Sequence, residues 1–405
     1  MSRAGEPYIL AGGHTKEDGM PNAAGPLAGI KVIDLTEFIF GPYATQMLGD
    51  LGAEVIKIES PDGDRQRHGR FAKTEKMSAI FMALNRNKRS VTLDLKSEGA
   101  RAKLRALLPD AHVFIHNIRG DAIARLGFSY DDVRKIAPSI VYVHCVGYGA
   151  GGPYAGRQAF DDLVQAASGA TDLLPRVDGN PELRPMPSFE ADKVSSLHAV
   201  TGVLAALVHR EKTGEGQFVE VPMFECFTSF LLVEHMNGAE FEPPVSHMGH
   251  SVALAKDRRP LKTKDGHIAI QPVSRAIAAK FLELGGIPDA YETARYNEAK
   301  TGREKVRVYY EMLHEAARAH TTEEWMKLGE EHRIPVMRAN TLDEVLTDPH
   351  LAAVDFFQVR PHPSEGAWRA TKPPLHFSQT PASIRRDPPL PGQDTAEVSG
   401  GIPKP

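Results

Sequence analysis

The stretch from Gly29 to Glu59, GIKVIDLTEFIFGPYATQMLGDLGAEVIKIE, narrows the possible folds more than any other part of the chain. Lys31–Leu35 is an apolar run between Gly29 and a loop, which predicts a buried parallel strand. Pro42 falls where a first helical turn accepts proline, and Gly52 where a helix closes. A second strand is predicted over Glu54–Ile58, and the unit ends on an acid, Glu59. Strand, loop, helix and strand in this order open a doubly wound α/β fold. The loop, however, lacks the G-x-G-x-x-G fingerprint that lets a pyrophosphate approach a helix N-terminus. It runs Thr36-Glu37-Phe38-Ile39-Phe40-Gly41-Pro42, one glycine behind bulky apolar residues. The scaffold is that of a nucleotide enzyme, without the phosphate cradle.

The alternation continues downstream. Ser90–Leu95, His112–His116 and Ile140–Val146 are expected to be strands, with helical spacing over Ser97–Leu108 and Asp121–Leu126. Gly151-Gly152-Pro153 is a turn. Phe160–Ser168 is expected to be helical, Pro175 to Pro187 a loop, and Asp192–Arg210 a long amphipathic helix. Phe218–Val221 is a further strand. A different pattern follows, with one strand over His267–Gln271 and helices over Ala276–Leu284, Arg303–His320 and Thr322–His332. These predict a second, smaller domain, from which the chain returns through Ile334-Pro335-Val336 and a Leu342–Leu346 helix. Four segments result: an arm over 1–26, a large domain over 27–225, a linker and small domain over 226–335, and a return with a tail over 336–405. Residues 1–26 and 386–405 are rich in Gly, Pro and polar groups and read as loose ends.

The 405 residues are 41% hydrophobic and 25% charged, with a net charge of -4, which gives no field for nucleic acid. Cys145 and Cys226 lie in apolar runs and are expected to be buried thiols, which suits a reducing cytoplasm. The apolar runs fall short of a membrane span, Phe227 to Val233 being the longest.

Several motifs converge beyond this point. LAGIKVIDLTEFIFGPYATQMLGDLGAEVIKIESPDGD, ALNRNKRSVTLDLKS, GPYAGRQAFDDLVQAASG, VLAALVHREKTGEGQFVEVPMFE and DPHLAAVDFF together resemble the class III CoA-transferases, the CaiB/BaiF family that includes formyl-CoA transferase. The resemblance runs in order from about residue 27 to about residue 397. It implies an α/β fold: a Rossmann-like large domain built from both chain ends plus a smaller α+β domain, in an interlocked, ring-like homodimer. It also implies transfer of CoA from an acyl-CoA to a free carboxylic acid, with acyl-CoA as substrate and no tightly bound cofactor or metal. Racemases of α-methylacyl-CoA belong to the same family and form the alternative. A nicotinamide-dependent oxidoreductase is a third, opposed by the missing fingerprint.

By resemblance the nucleophile is Asp192, in Phe189-Glu190-Ala191-Asp192-Lys193, ahead of Leu204-Ala205-Ala206-Leu207. The chemistry calls for a carboxylate, since attack on a thioester then yields a mixed anhydride and an aspartyl-CoA thioester. From its position alone Asp192 reads as a helix N-cap, a role compatible with the catalytic one. Glu190 is the nearby competitor.

CoA needs cations and backbone N–H groups. Arg86, Lys88 and Arg89 form a dense basic knot, which by itself reads as a solvated loop. Lys88 and Arg89 of this knot are candidates for binding CoA, and the resemblance places CoA near Leu93, Lys96, Asn117, Ile118, Arg119 and Arg125. Ile39 and Phe40 match the loop that packs its apolar parts, and Ser60 stands where some members carry arginine. Gln158, Ala159, Phe160 and Asp161 match another CoA-lining stretch, where racemases carry a His-Asp pair. Phe160 cannot move a proton, which argues against racemisation. Arg258 and Arg259 are candidates to grip a second carboxylate of the substrate. His247 and His250 are a weak metal pair without an evident third ligand.

Overall fold

The computed structural model describes residues 25–400; the expected arm over 1–26 lies almost entirely outside them, as do residues 401–405. Six parallel strands, β1 (Lys31–Leu35), β2 (Glu54–Glu59), β3 (Lys88–Thr92), β4 (Val113–His116), β5 (Val141–Val146) and β6 (Phe218–Pro222), are ordered β3-β2-β1-β4-β5-β6. That is the doubly wound order, reversing between β1 and β4. Alternate residues of the same strands feed two cores. Val32, Val113 and Val143 face one side with Leu48, Val203 and Phe227. Ile33, Phe114 and Tyr142 face the other with Leu104 and Phe128.

β3 begins two residues earlier than expected and ends at Thr92. A lysine inside a strand reads as loop, yet Lys88 pairs in register with Val55 and is wholly buried. Leu93 makes the last sheet bond, to the Glu59 carbonyl at 2.8 Å, and the chain then leaves the sheet.

Four helices frame the strand ends: α1 (Phe40–Asp50), α2 (Asp161–Ser168), α3 (Glu190–Thr213) and α4 (Met223–His235). A short helix over Leu173–Asp178 enters the stretch expected to be loop. α3 has the length and, at 1.2, the mean hydropathy of a membrane span, which the sequence reading had not credited to any segment. It lies on the β5–β6 side of the sheet, burying Ala191, Val194, Ala199, Val203 and Ala206.

The smaller unit packs α5 (Arg275–Leu284), α6 (Gly302–Ala317) and α7 (Thr322–His332) against an antiparallel sheet of β7 (Leu261–Lys262), β8 (His267–Ile270) and β9 (Val336–Arg338). Phe281 stacks on Trp325 at 4.2 Å in its core. Val336 was expected to open the return to the large domain. Instead it pairs with Ile270, so the small sheet extends to Arg338. The C-terminal segment, expected to be loose, is fastened through residue 398. The Arg385 and Arg386 N–H groups donate to Asn87 Oδ1, and Ser90 N–H to Asp394 Oδ2. Proline-rich composition conceals these contacts because polar side chains, not regular structure, make them.

Candidate active site

A cleft of about 1110 Å³ lies over the carboxyl ends of the strands, across the point where their order reverses. Ligands of open α/β sheets bind there. The loop after β1 forms its floor. Asp34, buried at the end of β1, accepts Thr36 N–H (2.8 Å), Thr36 Oγ1 (2.5 Å) and Thr45 Oγ1 (2.6 Å). Lys57 donates to the Thr36 carbonyl at 2.6 Å and pairs with Asp64 at 2.9 Å. Phe38 N–H donates to Asp64 Oδ1, and Phe38 itself takes a positive φ of 69°. Asn117 closes the far side, exchanging both bonds with the Glu37 backbone. The single glycine has a packing role: a Cβ at Gly41 would lie 2.2 Å from Thr36 Cβ. The loop is therefore rigid and apolar-faced, which accounts for the absent phosphate fingerprint.

Two acids meet at one end of the cleft. Asp161 opens α2 and is buried; Gln165, one turn on, donates to its Oδ2 at 2.5 Å. Gln165 also ties down Ser188 O and Met186 N–H, fixing the segment that leads into α3. Asp192 N–H then donates to Asp161 Oδ1 at 3.1 Å. Asp192 is not the N-cap: α3 is capped by Phe189, and Asp192 lies in its first turn. Its carboxyl is pushed up to about 7 by burial and then by Asp161, against the opposing pull of Phe40 N–H. A helix N-terminus favours the anion, but without a cation beside it desolvation wins. Glu190 turns away to Lys193, 3.3 Å distant, and does not line the cleft.

Of the other expected residues, Ile39, Phe40, Leu93, Lys96, Asn117, Ile118, Arg119, Gln158, Ala159, Phe160 and Asp161 all line this cleft. Five do not. Lys88 is sealed beneath it, bonded to Asp34 (3.2 Å), the Pro42 carbonyl (2.9 Å) and Asn85 Oδ1 (2.9 Å). The alternation of β3 turns it into the protein. Arg89 faces a separate hollow at the opposite ends of β2 and β3, paired with Glu54 and Glu397, each at 2.8 Å. Arg125 stays at the rim in a pair with Asp121, one helical turn back. Arg258 and Arg259 are exposed on the segment before β7, outside the cleft of their own chain. Arg86, third of the basic knot, is buried against Asp50 at 2.7 Å.

The cleft holds cations that sequence reasoning passed over. Arg65 lies over the Phe38 ring at 5.5 Å and near Glu37 at 3.8 Å; Arg157 lies over Tyr154 at 4.7 Å. Each had a usable signal. Arg65 follows the acidic strand end by six residues, close to Ser60, where an arginine was missed. Arg157 directly precedes the matched Gln158. Among the described residues no three His, Cys, Asp or Glu side chains are grouped to hold a metal.

The family model of CoA-transferase family III matches residues 27–395. The mouse succinyl-CoA:glutarate CoA-transferase (Mus musculus) is 28% identical, covering 96% of this chain and 90% of that protein. A formyl-CoA:oxalate CoA-transferase of Streptomyces coelicolor is 30% identical, covering 93% of this chain and 94% of that protein. The crystal structure of a CaiB/BaiF family protein from Brucella suis superposes with a TM-score of 0.80 at 27% identity, covering 94% of this chain and all of that one. With its doubly wound sheet and acid-bearing cleft, the chain belongs to family III of the CoA-transferases.

Proposed function

We propose that the enzyme moves CoA between carboxylic acids through a thioester on Asp192. The observation that carries this is a cleft-lining carboxylate, partly buried, pushed up to about 7 and without a paired cation. An Asp192 oxygen attacks the carbonyl of the acyl-CoA. The new C–O bond forms as the C–S bond breaks, leaving a mixed anhydride and CoA thiolate. The thiolate attacks the aspartyl carbonyl, forming Asp192–CoA and releasing the donor carboxylate. The acceptor carboxylate then attacks this thioester, giving a second anhydride and thiolate. Attack on the acyl carbonyl releases the new acyl-CoA and regenerates Asp192. Each step exchanges one nucleophile for another, so protons and electrons balance without a co-reactant. An Asp192 carboxylate drawn partly out of solvent is the more nucleophilic.

Lys96, Arg119 and Arg65 follow β3, β4 and β2 respectively, and we assign them to the CoA phosphates. The bulky Ile39–Phe40 segment packs the pantetheine arm between these phosphates and Asp192. The units that build this site are residues 27–225 with the C-terminal segment, with the small unit following; a homodimer, interlocked as in the family, and a cytoplasmic location complete the proposal.

Intact-protein mass spectrometry after mixing with acyl-CoAs tests it. An adduct of CoA mass, labile to hydroxylamine and absent in Asp192→Ala, is the expected result. Exchange of the α-proton with solvent without any adduct would replace this mechanism by an isomerase.

A further inference from the structure

α3 starts without a cap of its own. Its N-cap is Phe189, whose side chain has no oxygen to offer the first N–H groups of the helix. The N–H of Asp192, third residue of the helix, goes instead to the neighbouring α2, onto Asp161 Oδ1 at 3.1 Å. Where Asp161 stands therefore decides where Asp192 stands. Asp161 is in turn placed by Gln165, one turn on and wholly buried. Both N–H donors and the carbonyl of the Gln165 amide are engaged. Nε2 donates to Asp161 Oδ2 at 2.5 Å and to the Ser188 carbonyl at 3.0 Å, while Oε1 accepts Met186 N–H at 2.8 Å. Two donors and an acceptor at the end of one uncharged chain are what an amide supplies. Ser188 completes the junction from the other side. Its carbonyl accepts Glu190 N–H at 2.8 Å and its hydroxyl accepts Lys193 Nζ at 2.6 Å, both from the start of α3.

A second buried side chain ties α3 to the floor of the cleft. Ser196, one turn on from Asp192, lies 2.6 Å from the Phe40 carbonyl and 2.7 Å from the Asp192 carbonyl through its Oγ. Phe40 opens α1, and its N–H is the group that opposes the rise of the Asp192 carboxyl. A glutamine bonded to an aspartate one turn back, or a serine bonded to a carbonyl one turn back, is common inside helices. These two reach further, Gln165 to residues 186 and 188 and Ser196 to a loop 156 residues away. Both are 0% exposed within the single chain, so a second subunit over the cleft would leave their bonds as they are. Neither lines the cleft.

We infer that Gln165 and Ser196 are positioning residues for CoA transfer: without touching substrate, they set the Asp192 carboxyl where acyl-CoA, thiolate and acceptor acid can each reach it. The inference rests on Asp192 as the reacting residue. Each step in which that carboxyl makes or breaks a bond needs it in the same place, and a displacement of about 1 Å costs about 100-fold in rate.

The test uses the full-length enzyme and follows Asp192–CoA formation by intact-protein mass spectrometry over a range of succinyl-CoA, isovaleryl-CoA and phenylacetyl-CoA concentrations. Gln165→Met keeps the length of the side chain and removes its donors; Ser196→Ala removes one hydroxyl. With the donor that labels fastest, Gln165→Met is expected to lower the maximum rate about 10- to 100-fold and Ser196→Ala about three- to ten-fold. The half-saturating acyl-CoA concentration is expected to stay within about two-fold of wild type, as is the folded fraction by circular dichroism. Maximum rates within about two-fold of wild type in both variants overturn the inference and leave the mechanism standing. A rate loss matched by an equal rise in half-saturation, or by an equal loss of folded protein, makes the residues structural and also overturns it. Should Gln165→Met fail to fold, Ser196→Ala decides by the same criteria. A wild type that forms no CoA adduct at Asp192 with any of the three donors overturns the mechanism, and the inference with it.

Discussion

Two sets of acids in this fold, one beneath the cleft and one inside it, behave in opposite ways. Beneath the cleft, Asp34, Glu59 and Asp64 face Lys88, Arg67 and Lys57, three anions against three cations. Arg67 grips Glu59 with both arms, at 2.6 and 2.7 Å, while Ser90 donates to the same carboxylate. Burial alone would raise the Glu59 carboxyl; the bonds from Arg67 and the charge of Lys57 hold it down to about 2. Inside the cleft, Asp192 is partly buried with Asp161 for a neighbour, and it is pushed up to about 7. Pairing with cations separates the acids that support the fold from the one proposed to react. The paired set fixes Thr36 and Phe38, the loop on which the reactive set depends.

The sharpest test of this contrast is removal of the proposed nucleophile. Asp192→Asn should lower the rate of CoA transfer by about 10⁴-fold or more, as loss of a nucleophile does, while circular dichroism stays that of the wild type. Next is the paired set. Arg67→Met leaves Glu59 buried without its partner and should cost about 3–5 kcal/mol of stability, read as a lowered urea midpoint. An undiminished midpoint would break the comparison.

The third test turns on sign. Because the folded-state value of Asp192 lies above its ordinary one, folding takes up a proton between them, and stability falls as pH rises from about 4 to about 7. Asp192→Asn removes that cost, so the variant should be more stable than wild type at pH 8 by up to about 4 kcal/mol and equal to it at pH 4. Glu59 runs the other way: it contributes stability at neutral pH that is lost as pH falls through about 2. Activity should follow Asp192, declining about ten-fold per unit below pH 7 in adduct-formation assays.

The smallest effects concern exposed cations. Lys96→Ala, Arg119→Ala and Arg65→Ala should each raise KM for acyl-CoA by about three- to ten-fold, with kcat little changed. Arg89→Ala and Arg125→Ala, outside the cleft, should leave KM unaltered. A reversal of these two groups would return the phosphate site to the basic knot.

The parallel sheet, its helices and the glycine-poor loop after β1 were legible in the chain itself, because a strand buried on both faces and a helix with one apolar face impose local periods. Resemblance to the family, carried by motifs in order along the chain, also nominated Asp192 and eleven other residues that line the cleft. Lys88, Arg89 and Arg86 were misplaced for a shared reason. A run of basic residues looks solvated until its partners are known, and those partners, Asp34, Glu54, Asp394 and Asp50, lie 35 to 305 residues away. The same blindness hid the C-terminal segment, whose order comes from side-chain bonds to Asn87 and Ser90 rather than from any period of its own.

The sequence by itself determined the fold class and the family, which follow from local pattern and from the order of motifs along the chain, and the resemblance those motifs carry nominated Asp192. Only the tertiary structure decided which cations face the cleft and which acids are paired. Those are matters of distance between remote residues, and electrostatic free energy depends on distance and burial, neither of which composition records.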